Sequence, residues 1–329
     1  MTRPRVVITD TVFGSTEPEQ EVLRGLADLE LAPAADEHTL RQVAAEADAL
    51  LNCYAKLSAD LVRSLRRCRI IARYGIGVDT VSLGAASEAG IMVTNVPDYC
   101  IDEVSDHALG LLLNLARGIG RARLATRAGD WDISVVQPLY RLRGRTLAIL
   151  GFGRIGRALA DKARPLGLRI VAVDRYVPQD AIRAAGVEPL GLQAALEQAD
   201  LLSIHVPLTD ETRHLIDARA LAWMKPSALI VNTSRGPVID TSALVEALKA
   251  GRLAGAGLDV VDPEPPPPDH ELRQMPNVLL TPHTAFYSEE SQRELQRRAA
   301  EEVARVLRGE QPRSLVNADA LAARARPKG

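Results

Sequence analysis

Residues 145–174 read RTLAILGFGRIGRALADKARPLGLRIVAVD, and this stretch predicts the fold of the chain around it. The apolar run Thr146–Leu150 is typical of a buried parallel strand, and residues 155–166 follow it with a helical pattern. A second apolar run, Arg169–Val173, ends directly before Asp174. The order strand, helix, strand predicts a βαβ unit, and therefore a parallel sheet.

Three glycines lie between the first strand and the helix, in the segment GFGRIG at 151–156. Gly151 permits a tight turn, Gly153 lets the backbone approach a pyrophosphate, and Gly156 lets the helix lie close to the sheet. The first-turn N–H groups of a helix lack partners and carry partial positive charge, which favours an anion. Asp174, after the second strand, is placed to accept the ribose hydroxyls. The combination predicts a dinucleotide site; a purely structural βαβ turn is the alternative.

Size and composition restrict the class of protein. A chain of 329 residues with 47% apolar and 25% charged residues is typical of a globular protein, and its length favours two domains. The net charge of −2 provides no basic surface for nucleic acid. Apolar runs stay well below the roughly 18 residues of a membrane span. Cys53, Cys68 and Cys100 are too few for a disulfide framework or a metal site, so we expect buried, reduced thiols and a cytoplasmic protein without a metal.

The remaining pattern predicts an α/β fold of two doubly wound parallel-sheet domains. Strands and helices alternate before a Pro-marked break at 95–100, and a long or broken helix at 101–127 crosses into the second domain. A helix at 288–308 returns to the first domain. The predicted domains are therefore residues 1–98 with 288–329 for the substrate, and 99–287 for the dinucleotide. We expect disorder beyond Asn317.

Polar side chains follow four predicted strands of the second domain. They are His205, the segment 232–236, the segment 259–264, and Thr281-Pro-His283. Ligands of open parallel sheets bind beyond the carboxyl ends of the strands, so these residues are expected to meet beside the glycine turn.

Three of these residues suit acid–base chemistry on a carbonyl group. Histidine ordinarily titrates near neutrality, which makes His283 the natural proton carrier. Glu264 is placed to orient the imidazole and to favour its charged form, and the planar Arg235 suits a carboxylate or a polarised carbonyl. The alternatives are a turn histidine, a solvated glutamate and a surface arginine. His107, on the crossing helix, is expected to serve in interface packing.

The chain resembles the family of D-isomer-specific 2-hydroxyacid dehydrogenases along most of its length. The motifs are YGIGVDTVSL at 74–83, LLSIHVPLTDETRHLI at 201–216, LIVNTSRGPVID at 229–240, GLDVVDPEP at 257–265 and TPH at 281–283. TPHTAFYSEES at 281–291, together with ARYGIGVD at 72–79, is most similar to the branch of the C-terminal binding protein co-repressors and their bacterial relatives.

The resemblance implies a Rossmann NAD-binding domain inserted into a flavodoxin-like substrate domain. Arg235 would bind the 2-oxo acid, His283 would be the acid/base and Glu264 its partner. The implied substrate-binding residues are Arg73, Gly75, Ile76, Gly77 and Phe286, the last standing where the co-repressors have Trp. The implied cofactor-binding residues are Gly151, Gly153, Arg154, Ile155, Gly156, Asp174, His205, Val206, Pro207, Thr212, Thr233, Ser234, Arg235, Asp259 and His283.

The expected function is that of an NAD-dependent oxidoreductase that interconverts a small 2-oxo acid and its D-2-hydroxy acid. A scaffold that senses NAD(H) and turns over little is the alternative. Asp174 favours NAD over NADP because it would repel a 2′-phosphate, although Arg175 beside it would partly compensate. The apolar residues of segment 101–140, which is expected to be extended at 131–140, predict a homodimer.

Overall fold

The computed structural model describes residues 3–325. The chain divides into two compact units, one running to Tyr99 and resuming at Ser288, the other spanning Cys100–Tyr287. Each unit is built on its own parallel sheet, of five and seven strands. The predicted α/β class with two parallel sheets is confirmed.

The first unit begins with five strands that alternate with four helices. These are β1 (Arg5–Ile8), α1 (Glu17–Leu23), β2 (Asp28–Leu31), α2 (Glu37–Ala44), β3 (Ala49–Asn52), α3 (Ala59–Ser64), β4 (Ile70–Arg73), α4 (Leu83–Ala89) and β5 (Met92–Thr94). The sheet order is β2-β1-β3-β4-β5. Every residue of β3 and β4 is buried, as expected for central strands covered on both faces.

The second unit carries the glycine turn at the middle of its sheet. Its elements are α5 (Ile101–Arg117), α6 (Ile119–Ala128), β6 (Thr146–Leu150), α7 (Arg154–Ala163), β7 (Arg169–Val173), α8 (Gln179–Ala184), β8 (Glu188–Pro189), α9 (Leu192–Gln198), β9 (Leu201–Ile204), α10 (Ala218–Trp223), β10 (Leu229–Asn232), α11 (Thr241–Lys249), β11 (Gly255–Leu258) and β12 (Val278–Leu280). The order is β12-β11-β10-β9-β6-β7-β8. The chain changes direction across the sheet between β6 and β9, where ligands of open sheets bind.

The crossing helix takes the broken one of its two predicted forms, because Gly118 has φ 62° and ends α5 before α6 begins. Two other local features of this unit differ from the prediction. The segment around residues 131–140, predicted to be extended, contains a 3-10 helix at Ile133–Val136. The sequence pattern also missed α8 and β8, which have six and two residues and are too short to show a clear period.

Two helices complete the first unit: α12 (Glu289–Leu307) and α13 (Ala318–Ala325). Helix α12 begins at a capping box, in which Ser288 and Ser291 each accept a backbone N–H of the other. The expected disorder beyond Asn317 is wrong as far as the structure describes that tail, since α13 follows; residues 326–329 lie outside the described residues. In the described part of the chain, no helix combines the length and apolarity that a membrane crossing requires.

All three cysteines are buried, and no disulfide joins them. Burial raises the pKa of the Cys53 and Cys68 thiols to about 12. The predicted burial of the three cysteines is confirmed.

Asn317 joins the C-terminal segment to β5. Its side chain accepts the Val93 N–H at 2.9 Å and donates to the Ile91 carbonyl and the Ser87 hydroxyl, each at 3.0 Å. Asn317 is 6% exposed, so water does not readily replace these bonds.

We predict that Asn317→Ala lowers the free energy of unfolding by about 1–3 kcal/mol, because buried backbone groups lose their partners. Urea denaturation with an unchanged m-value measures the effect. Gln311→Ala, which removes an exposed amide, is the control and should stay within about 0.5 kcal/mol of the native protein. A native-like midpoint for Asn317→Ala would contradict this role.

Candidate active site

The glycine turn between β6 and α7 has little room for side chains. Gly151 has φ 96°, and a Cβ there would lie 2.7 Å from the His205 carbonyl carbon. A Cβ at Gly156 would lie 2.2 Å from the Gly151 carbonyl oxygen. A Cβ at Gly153 would instead meet open space, which leaves room for a ligand against the backbone at the start of α7. The turn therefore suits the phosphates of a dinucleotide.

Asp174 is fixed at the end of β7, beside this turn. Its carboxylate accepts the Phe152 N–H at 2.7 Å and the N–H groups of Tyr176 and Val177 at 2.8 Å each. The first of these bonds ties the acid to the glycine turn itself. A carboxylate held in this place by backbone donors is oriented before any ribose arrives.

His205 follows β9 and lies against Gly151. Burial lowers its pKa to about 4, so the ring is neutral at physiological pH. Its Nε2 is 2.9 Å from the Ser203 hydroxyl. Val206 and Pro207 continue from it into a turn in which the Thr212 hydroxyl donates to the Pro207 carbonyl at 2.6 Å.

The turn after β10 carries Thr233, Ser234 and Arg235. The fully buried Asn232 accepts the N–H and the hydroxyl of Ser234 at 3.0 and 2.8 Å, and donates to the Arg235 carbonyl at 2.8 Å. Gly236 has no room for a side chain, since a Cβ there would lie 1.9 Å from the Val261 carbonyl oxygen. The backbone of Arg235 is therefore held from both sides.

The turn after β12 is organised by Asp259, which is 2% exposed. Its carboxylate accepts the Thr281 hydroxyl at 2.6 Å and the N–H groups of Thr284 and Ala285 at 2.9 and 3.0 Å. His107 Nε2 lies 2.9 Å from the Thr281 hydroxyl oxygen and 3.6 Å from the Asp259 carboxylate. His107, expected to serve in interface packing, thus contacts this cluster, and its helical position gave no indication of that.

His283 lies within this turn and pairs with Glu264. The ring Nδ1 of His283 is 2.5 Å from Glu264 Oε1. The backbone N–H of His283 donates to the Asp259 carbonyl at 2.9 Å. The φ of His283 is 52°, an uncommon left-handed conformation outside glycine. The ring of Phe286 stands edge-on to the imidazole, with 6.2 Å between centroids.

Arg154 and Ile155 are the first two residues of α7. The first unit holds four further predicted residues, at the end of β4 and directly after it. Arg73 is 7% exposed, and its guanidinium lies over Gly75, where a Cβ would be 1.5 Å from Nη1. The Ile76 carbonyl accepts the Asn95 amide at 2.7 Å, and Gly77 follows at once. A buried guanidinium beside a glycine backbone at φ 137° suits a small anion such as a carboxylate.

A buried hydrogen-bond network of Tyr74, Glu19 and Gln296 holds the start of the loop that follows β4. The Tyr74 hydroxyl donates to Glu19 at 2.7 Å, and Gln296 donates to the same carboxylate at 3.0 and 3.1 Å. Burial raises the pKa of Tyr74 well above its ordinary value, so the phenol remains a donor. Glu19 and Gln296 were not predicted as site residues because their partners are remote in sequence.

The fold and the Cys100–Tyr287 unit define a class of protein: a Rossmann-type, dinucleotide-dependent oxidoreductase with a histidine–glutamate pair at the same sheet edge. The family model for the D-isomer specific 2-hydroxyacid dehydrogenase NAD binding domain matches residues 109–285. The chain belongs to the D-isomer specific 2-hydroxyacid dehydrogenase family and carries a nicotinamide dinucleotide-binding domain.

The chain is similar to glyoxylate reductases along most of its length. It is 41% identical over 283 residues to the glyoxylate reductase of Thermococcus litoralis, covering 84% of this chain and 85% of that one. It is 37% identical to the Korarchaeum cryptofilum enzyme of the same name, covering 99% of both. The chain is also similar to a crystal structure of the NADPH-dependent glyoxylate/hydroxypyruvate reductase of Sinorhizobium meliloti in complex with NADP and malonate. The TM-score is 0.86 at 31% identity, and the match covers 96% of this chain and 97% of that one. The narrower resemblance to the C-terminal binding protein branch is not confirmed.

Paired variants test the histidine and its carboxylate. His283→Asn retains a residue that tolerates positive φ but removes the titrating proton, so kcat for reduction should fall roughly 10²–10⁴-fold with NADH binding intact. Glu264→Gln removes the negative charge that holds the imidazole at Nδ1, so kcat for reduction should fall roughly 10- to 100-fold with NADH binding intact.

Steady-state kcat and titration with NADH measure both effects, with Glu197→Gln as the control for loss of an exposed carboxylate. A native kcat for Glu264→Gln would separate the two residues functionally, whatever the His283 variant does.

Proposed function

We propose that the chain is an NADH-dependent reductase of small 2-oxo acids, with glyoxylate and its near relatives as substrates. The contact of His283 Nδ1 with Glu264 at 2.5 Å, on the sheet edge that carries the glycine turn, is the observation on which the proposal rests. The glyoxylate reductases among the relatives support the substrate class. Family membership and the intact Arg235, Glu264 and His283 disfavour the NAD(H)-sensing scaffold.

The residues of this chain supply position, charge and a proton. The nicotinamide supplies the hydride when it is bound. Arg235 holds the 2-oxo acid and stabilises the negative charge that develops on the carbonyl oxygen. With Nδ1 held by the Glu264 carboxylate, His283 delivers its proton from Nε2 to that oxygen, and the same nitrogen accepts the proton in oxidation. Arg73 and the backbone at 75–77 are the proposed carboxylate-binding residues of the first unit.

Steady-state turnover of a substrate panel tests the function. Glyoxylate, pyruvate and hydroxypyruvate are offered with NADH and, separately, NADPH. We expect oxidation of NADH with at least one of them, and a higher kcat/KM with NADH than with NADPH because Asp174 repels a 2′-phosphate. Binding of NADH without turnover of any panel member would favour the scaffold over the enzyme.

We also propose a homodimer joined through the Cys100–Tyr287 unit. Each residue of α6 is at least partly exposed, and Ile119 and Leu124 on it are 54% and 57% exposed. Trp131 and Ile133 beyond it are 90% and 74% exposed. Apolar surface of this extent in one segment is typical of an interface between copies. Separately from the dimer, we propose that the protein is cytoplasmic.

Light scattering at micromolar concentration tests the dimer. The expected mass is twice the 35.5 kDa of one chain. Trp131→Ser with Ile133→Ser should shift the equilibrium toward single chains, whereas Tyr176→Ser, at another exposed aromatic residue, should not. A mass of one chain for the native protein would refute the dimer.

A further inference from the structure

Arg175, the residue directly after Asp174, is engaged by an acid from a neighbouring loop. Its Nη1 donates to Glu211 Oε2 and forms a salt bridge with it. Glu211 lies in the turn after β9, preceded by the exposed Asp210. Arg175 is thus the cation closest in sequence to Asp174, the acid placed to accept the ribose hydroxyls, and it is already bound to a carboxylate.

This contact bears on which dinucleotide the site accepts. A 2′-phosphate adds about two negative charges at the ribose hydroxyl that Asp174 is placed to accept. An arginine is the side chain best suited to compensate, because its planar guanidinium binds phosphate oxygens through two parallel bonds. A carboxylate already on that guanidinium competes with the phosphate and adds its own repulsion.

We propose that Glu211 is a cofactor-specificity residue that prevents Arg175 from binding a 2′-phosphate. Asp174 and Glu211 then act against NADP by different routes: Asp174 repels the phosphate directly, and Glu211 occupies the cation that would attract it. The inference rests on the proposed function, since it concerns the nicotinamide dinucleotide of that same site.

A structural role for the pair is the competing explanation, and the surroundings disfavour it. The side chains of Arg175 and Glu211 are 70% and 56% exposed, and ion pairs this exposed contribute little to stability. The turn has its own support, because the Thr209 N–H donates to the Thr212 hydroxyl at 2.8 Å and that hydroxyl donates to the Pro207 carbonyl. Loss of the Glu211 charge therefore leaves the turn folded.

The sheet offers a matched control at the opposite end of the same strand. Arg169, the first residue of β7, pairs with Glu188 at 2.5 Å, with side chains 43% and 50% exposed. Glu188→Gln and Glu211→Gln each remove one exposed carboxylate from one arginine and change the net charge equally. They differ in which end of β7 they affect.

The experiment measures dissociation constants of NADPH and NADH by titration calorimetry without substrate, for the native protein, Glu211→Gln, Glu188→Gln, Arg175→Gln and the Glu211→Gln/Arg175→Gln double variant. We expect Glu211→Gln to bind NADPH roughly 3- to 10-fold more tightly than the native protein, with NADH affinity within about 2-fold. Glu188→Gln should match the native protein. The double variant should lose the gain, because the gain requires the guanidinium of Arg175. The gain should also shrink as salt is added.

Three results would overturn the inference: unchanged NADPH affinity in Glu211→Gln, an equal gain in Glu188→Gln, or a gain that persists in the double variant. Equal tightening of NADH and NADPH would overturn it as well, since the 2′-phosphate would then not be the group sensed. Failure of the proposed function looks different: the native protein would then turn over none of the 2-oxo acids with NADH, whether or not it binds the dinucleotide, whereas the comparison of Glu211→Gln with Glu188→Gln measures binding alone.

Discussion

The reactive edge of the larger sheet depends on one buried carboxylate, that of Asp259. A charge removed from water is costly unless hydrogen-bond donors replace the water. Here the Thr281 hydroxyl and two backbone N–H groups of the following turn do so. Another conformation of the turn would leave the charge unsatisfied, so the left-handed backbone of His283 is set by a residue that need not touch the substrate.

Polar side chains at the ends of neighbouring strands bind loop backbone in the same way. Asn232 at the end of β10 holds the turn that carries Arg235, and Asp174 after β7 holds the glycine turn through the Phe152 N–H. In each case, a short polar side chain at a carboxyl end of a strand binds the backbone of a loop. These three loops are therefore held to the sheet by hydrogen bonds, which favours a fixed geometry for the residues that they carry.

The sequence predicts best what depends on local pattern. The glycine turn and Asp174 follow from spacing, and the placement of Arg235, Glu264 and His283 follows from topology, because carboxyl ends of parallel strands share one edge. The contact of His107 with Thr281 joins residues 174 positions apart, and no periodicity encodes it. The helix after Asn317 was missed for the same reason: what holds it is Asn317 bound to Ile91 and Val93, far back in the chain. The composition of the residues beyond Asn317, taken alone, is typical of a disordered tail.

The buried cysteines have a practical consequence. An electrophilic dye reacts with thiolates, and both a high pKa and burial keep Cys53 and Cys68 protonated and screened in the folded chain. A maleimide fluorophore attached through a newly introduced surface cysteine would consequently label that position selectively, without prior removal of the native thiols. The native cysteines also report local unfolding. The rate at which the dye labels Cys53 and Cys68 would follow the transient exposure of the first unit's core.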